Sequence, residues 1–192
     1  MNFASQREIR RDSQRGSTLI ELMIAILVLA IGLGAVTTLL TIAIASNDRN
    51  SRDTTATLLA QMVIEQISAQ NVYSDVNVGT TDCAGSPHPF STTPGSVGTG
   101  AGATLKADGT IDFTQPLAGL IASGYAMQYF DCSAAGGVPT TYEVRWNVMA
   151  VSTNTSTRMI TAAARSSTAK EGGFHFVLPV NLRGIGGPTI GE

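Results

Sequence analysis

Few side chains in this sequence could do chemistry: His88 and His175, Cys83 and Cys132, and Glu21 at the start of a long apolar run. A nucleophilic relay needs a serine or cysteine on a sharp turn beside a base. With His88 and His175 alone no such order can be chosen, and the serines lie in polar stretches without a nucleophile-elbow pattern. Enzymatic activity is therefore not expected. Cys83, His88, Cys132 and His175 carry zinc-type donors, but their spacings match no common zinc pattern. Asp108 and Asp112 could lend oxygens to calcium, although isolated loop carboxylates are ordinarily just solvated. The run Gly98-Thr99-Gly100-Ala101-Gly102 superficially resembles a phosphate cradle, yet no apolar strand precedes it and no helix start follows. No metal and no cofactor are expected. Asn154-Thr155-Ser156 fits a glycosylation acceptor and reads as a plain turn.

Charge narrows the partners. The chain has 12 Lys and Arg against 14 Asp and Glu in 192 residues. Arg7, Arg10, Arg11 and Arg15 stand in the first 16 residues with Glu8 and Asp12, which leaves 8 basic against 12 acidic residues from Ser17 onward. An acidic body repels phosphate and releases few counterions, so no nucleic-acid partner is expected. The length suits one anchor and one small globular domain.

The anchor is Leu22 to Ala45, a run without a single charge. As a helix at about 1.5 Å per residue it spans about 36 Å, enough for a hydrocarbon core of about 30 Å. Arginines precede it, whereas Asp48, Arg49, Arg52 and Asp53 cancel after it, so the positive-inside rule keeps residues 1 to 16 cytoplasmic and puts the C-terminal part outside. Cys83 and Cys132 both follow the run. If their side of the membrane is periplasmic, a disulfide is the default and two separate buried thiols the alternative. Closing that loop would stabilise the domain by about 4 kcal/mol on the chain-entropy account. Three readings of the N-terminal region compete: a plain signal anchor, a secretory signal cut after Ala43-Ile44-Ala45, and a precursor cut upstream of the run. The apolar stretch is long for a secretory signal, whose core has about 7 to 15 apolar residues. Neither of the first two readings uses the carboxylate of Glu21.

The third reading does. The segment Gln14-Arg15-Gly16-Ser17-Thr18-Leu19-Ile20-Glu21-Leu22 resembles the processing site of the type IV pilin superfamily. The resemblance implies that a prepilin peptidase cuts after Gly16, that the new amino terminus at Ser17 is methylated, and that Glu21 is the fifth mature residue. Ser17 departs from the phenylalanine or methionine usual at that place, and no proline lies near Thr38, where many major pilins kink. The spacing has its own logic. Cleavage would leave a cationic amine within two helical turns of Glu21 inside an apolar helix bundle, where either charge alone is costly to bury and each needs a partner. The amine of one subunit meeting Glu21 of its neighbour would fix the axial register of a filament.

Beyond the run, Ala56, Leu59, Met62, Val63 and Ile67 recur at helical spacing, which predicts an amphipathic continuation of the same helix. Residues 79 to 109, rich in Gly, Ser, Thr and Pro, read as a long surface loop. Tyr142, Val144, Trp146, Val148 and Ala150 alternate with Glu143, Arg145, Asn147 and Met149, which predicts a strand with one face on a core. Arg158 to Ala164 completes a hairpin with it. Tyr125 to Phe130 and Phe174 to Val180 are further strands, the latter at an edge or ending at Pro179. The expected fold is α+β, with a long N-terminal helix packed on an antiparallel sheet of about four strands. Its domains are a leader at 1–16, a membrane half of the helix at 17–45, an amphipathic half at 46–72, and a periplasmic domain at 73–192. The order of elements looks like PilV-type minor pilins and like the I-type minor pseudopilins of type II secretion, as does Leu58-Leu59-Ala60-Gln61-Met62-Val63-Ile64-Glu65. This implies a single-pass inner-membrane precursor that passes into a cell-surface filament. Its partners would be prepilin peptidase, membrane lipid and other pilin subunits through helix packing. A tip adhesin is the alternative from another class.

Overall fold

The computed structural model describes residues 18–70, 78–132, 139–153, 157–167 and 178–187. Two compact units divide at Ala45 and Ser46, with one helix entering both. That helix, α1, runs Leu19–Ser68. It contains no proline, and alanine, leucine, methionine and glutamate, all good helix formers, recur along it. Within the first unit its apolar side chains are exposed throughout.

In the second unit α1 buries Ala56, Leu59, Ala60, Val63 and Ile67. Ala60 stands in that stripe in place of the expected Met62. At about 100° per residue Ala60 lies about 40° from Ala56 on the helical wheel, while Met62 falls about 120° away on the opposite flank and is only partly buried.

The remaining elements are β1 (Val78–Thr81), β2 (Pro87–Phe90), β3 (Ala101–Gly102), α2 (Leu117–Ala122), β4 (Ala126–Asp131), β5 (Thr140–Ala150), β6 (Arg158–Ser166) and β7 (Val180–Gly186). β1 and β2 form a separate two-stranded sheet. The main sheet has five strands in the order β3-β5-β6-β7, with β4 also on β5, and every strand pair in it is antiparallel. The α+β class and the β5–β6 hairpin are as the alternation predicts. β7 lies at a sheet edge, but it begins after Pro179 instead of ending there. A residue without an N–H is admissible at a strand's start, where it interrupts no ladder. Phe174 to Val177 lie outside the described residues.

β5 departs most from expectation, because both its faces are buried. One face presents Tyr142, Val144, Trp146 and Val148 to a core completed by the α1 stripe, with Phe90 edge-on to Trp146 at 5.0 Å between ring centroids. Across from these, β6 and β7 contribute Ala162, Ala164, Gly184 and Gly186. Small residues let the helix approach: a Cβ on Gly184 would meet Ile64, and one on Gly186 would touch the Ser68 Cα. The other face carries Glu143, Arg145 and Asn147 and is covered by residues 99 to 115, which overlap the segment expected to be a surface loop. In that segment Phe90, Thr92 and Ala103 are buried, and β2 and β3 join sheets. Its glycines permit the close passage. Gly102, at φ +98°, sits where a side chain would collide with the Trp146 carbonyl and the Tyr125 ring.

Polar residues suit this second face because the cover offers backbone carbonyls. Asn147 donates to Thr99 O at 3.2 Å and Ala103 O at 2.9 Å, and Arg145 Nη1 donates to Asp112 O at 3.0 Å and Gln115 O at 2.8 Å. Glu143 receives Arg145 Nε at 2.5 Å, and Arg165 through Nε at 3.0 Å and Nη2 at 2.7 Å. Both guanidinium groups lie over the Phe113 ring, 4.5 Å from its centroid for Arg165 and 5.0 Å for Arg145. β7 adds Asn181, which accepts from Ile111 N, and Arg183, which donates to Gly109 O.

Trp146 is fully buried and its Nε1 donates to Ser91 O at 3.2 Å, so it ties the helix-side core to the covering segment. Trp146→Ala should lower stability by about 3–5 kcal/mol through lost transfer energy and a residual cavity, read as a fall in melting temperature.

Candidate functional site

The feature that sets this chain apart is the first turn of α1 and the apolar surface behind it. Thr18 precedes the helix, and its Oγ1 accepts a hydrogen bond from the Glu21 amide at 3.4 Å. Thr18-Leu19-Ile20-Glu21 is thus the pattern of a capping box, with threonine at the cap and glutamate three residues on. The helix's exposed amides and its dipole both favour a carboxylate at this end. The spacing was legible in the sequence as a hydroxyl residue followed three positions later by glutamate, immediately before the apolar run. Gly16 and Ser17, the expected cleavage and methylation positions, lie outside the described residues.

Behind Glu21 the helix is long and apolar enough to cross a membrane, and none of that window is buried against the chain itself. Leu19 is 77% and Leu39 67% exposed. Polar atoms on this stretch are satisfied internally. Thr37 and Thr38 hydroxyls both donate to Gly34 O at 2.9 Å, and Thr41 Oγ1 reaches Thr38 O at 2.8 Å and Thr37 O at 2.9 Å. Hydroxyls bonded back to the preceding turn can sit in hydrocarbon without an orphaned donor. Gly32 and Gly34 have open space beside them. Such a helix end can do no bond-making chemistry alone. It can hold one charge at a fixed depth and pack against lipid or other helices.

A second constellation lies on the β1–β2 hairpin. Cys83 and Cys132 form a disulfide with a Cα–Cα distance of 6.0 Å, joining the end of β1 to the end of β4. Beside it Asp82 is buried, accepting from Ser86 N at 2.8 Å and pairing with His88 Nε2 at 3.1 Å. Burial pushes the Asp82 carboxyl up, but the His88 ring, the Ser86 amide, the charge of His88 and the Phe130 amide outweigh it and hold the carboxyl below its ordinary value. Sequence reasoning passed over this pair, since an aspartate and a histidine six residues apart in a proline-rich stretch carry no periodic signal. His175 lies outside the described residues, as do Asn154, Thr155 and Ser156.

Asp108 and Asp112 have local partners. Asp108 is held low first by the Thr110 hydroxyl and then its amide, and Asp112 first by the Thr114 amide and then its hydroxyl. Each carboxylate folds its own turn. Among the described residues, no three His, Cys, Asp or Glu side chains gather as metal ligands would. The glycine run lines a shallow depression with Thr104, Leu105 and Asn147, whose amide is already spent on Thr99 and Ala103 carbonyls.

Because the folded Asp82 carboxyl titrates below its ordinary value of 3.8, its contribution to stability is complete above that value and is lost as pH falls through the lowered one. Asp82→Asn should therefore melt below wild type at pH 7, and the two melting curves should converge in acid. A gap that persisted unchanged at low pH would contradict the assignment.

The prokaryotic N-terminal methylation motif matches residues 11–37, which include the capping turn, Glu21 and the first half of the exposed apolar stretch. No curated protein and no solved structure matches the chain. A prepilin-type motif carried into an apolar helix long enough to anchor in a membrane supports a type IV pilin-like protein.

Proposed function

We propose that this protein is a minor pilin, processed by prepilin peptidase after Gly16 and inserted into a type IV pilus to prime or modulate its assembly. The observation that carries the reading is Glu21, a carboxylate in the first turn of a helix whose next turns expose only apolar or internally bonded side chains. A charge so placed is costly in hydrocarbon unless a cation meets it, and the amine freed at Ser17 by cleavage is the cation the motif supplies. The chain acts by helix packing and charge pairing, without catalysis. The precursor is anchored in the inner membrane with its C-terminal domain in the periplasm, and the mature chain enters a filament on the cell surface.

The subtype rests on the order of long helix, covering segment and Tyr-x-Val-x-Trp-x-Val hairpin. A minor pseudopilin of a type II secretion filament has the same order and the same N-terminal chemistry. A tip adhesin is less well supported, because residues 79 to 109, its expected binding loop, bury Phe90, Thr92 and Ala103 and cover β5. Their removal would uncover Asn147, which donates to the Thr99 and Ala103 carbonyls.

Gly16→Ala should leave full-length precursor in the inner membrane, seen as a band about 16 residues heavier on gels, since the peptidase cleft needs a bare glycine. Glu21→Ala should still be cleaved but enter filaments poorly, measured as the ratio of the protein in sheared filaments to that in membranes. N-terminal sequencing of the mature chain should begin at Ser17. A start at Ser46, or an intact Met1, overturns the proposal.

A further inference from the structure

Among the described residues the C-terminus of α1 has little local capping: the Gln70 amide donates to Ile67 O at 3.2 Å in a single 3₁₀-type bond. No basic residue stands in its last turn, and Ala69 and Gln70 follow in place of a glycine. Among the described residues no non-glycine takes a positive φ, so no left-handed cap is formed there by Ala69. Helix ends leave about four carbonyls without intrahelical partners.

The side-chain partner for these carbonyls arrives from far along the chain. Arg158, the first residue of β6, is fully buried, and its Nη2 donates to Ile67 O and, at 2.6 Å, to Gln70 O. Its Nη1 donates to Thr92 O at 3.3 Å. Nε has no hydrogen-bond partner, and among the described residues no carboxylate pairs with this guanidinium. A buried cation without a counter-ion is strongly unfavourable unless dipoles replace the anion. The carbonyl end of a long helix is such a dipole, and a planar guanidinium can serve several carbonyls at once where an ammonium serves as a point. Gly186 sits beside this group: a Cβ there would press on Arg158 Nε and on the Ser68 Cα.

We infer that Arg158 is the C-terminal cap of α1, supplied from the sheet, so that the last turn of the helix is complete only when β6 is in place. This inference is independent of the filament reading, and concerns a positioning residue. It makes the end of the helix and the start of β6 one cooperative unit despite the 91 positions between Ile67 and Arg158.

Hydrogen exchange on the full-length chain in detergent micelles tests it. In wild type, amides of residues 65–70 and of β6 should exchange together and with the same dependence on denaturant. Arg158→Lys keeps the charge but not the fork, and should speed exchange at residues 65–70 by about five- to tenfold, the effect of a lost cap, while the centre of β5 stays unchanged. Arg158→Met should do the same more strongly. Unchanged exchange at residues 65–70 in both variants would overturn the inference, as would an equal rise across the whole sheet. If the Met variant fails to fold, the Lys variant and the wild-type comparison still decide, since a wild-type helix end that opens independently of β6 is itself a refutation.

Discussion

The domain after Ser46 is organised by β5, a strand with no solvent face. A strand covered on one side needs only a hydrophobic alternation, whereas one covered on both needs two covers of different chemistry. α1 provides the first through Ala56, Leu59, Ala60, Val63 and Ile67, against which Trp146 and its neighbours bury apolar area. The segment from β3 to Gln115 provides the second by offering carbonyls to Asn147 and Arg145. Removing Glu143 would leave the buried Arg145 guanidinium without its carboxylate, which costs about 3–5 kcal/mol in comparable cases. Both covers are therefore obligatory.

Covalent and ionic ties secure the pieces that lie off the main sheet. The Cys83–Cys132 bridge holds the β1–β2 hairpin to the end of β4, and the buried Asp82–His88 pair fixes the turn that carries Cys83. Phe90 then enters the core beside Trp146. The hairpin is too short to stand alone, since an isolated two-stranded unit is marginal in water. Its persistence depends on these anchors.

The first unit follows a different rule. From Leu19 to Ala45 the chain buries nothing against itself, and its stability in place must come from lipid or from other helices. The pilin-like character resides here, in a short motif, while the domain beyond Ser46 matches no solved structure. The methylation motif at the N-terminus and the sheet domain at the C-terminus are thus separate parts of one chain, joined through a helix that enters both.

Much of this was legible in the residues alone. The charge-free run after Glu21, the helical recurrence from Ala56 to Ile67 and the alternation from Tyr142 to Ala150 each repeat a local period, and local periods follow from backbone geometry without knowledge of the partner. The Thr18–Glu21 cap is equally local and was readable at the same level. What tertiary structure decided is which polar residues are buried. Glu143, Arg145 and Asn147 looked like a solvent face because their alternation with apolar neighbours is the same whether water or a loop lies opposite. Residues 79 to 109 looked like surface because glycine and proline signal turns, not whether those turns fold onto a sheet. Arg158 read as an ordinary strand residue, for a guanidinium that caps a helix from 91 positions away leaves no periodic trace in sequence. Contacts of that kind depend on where the chain returns in space, and only the folded sheet sets that.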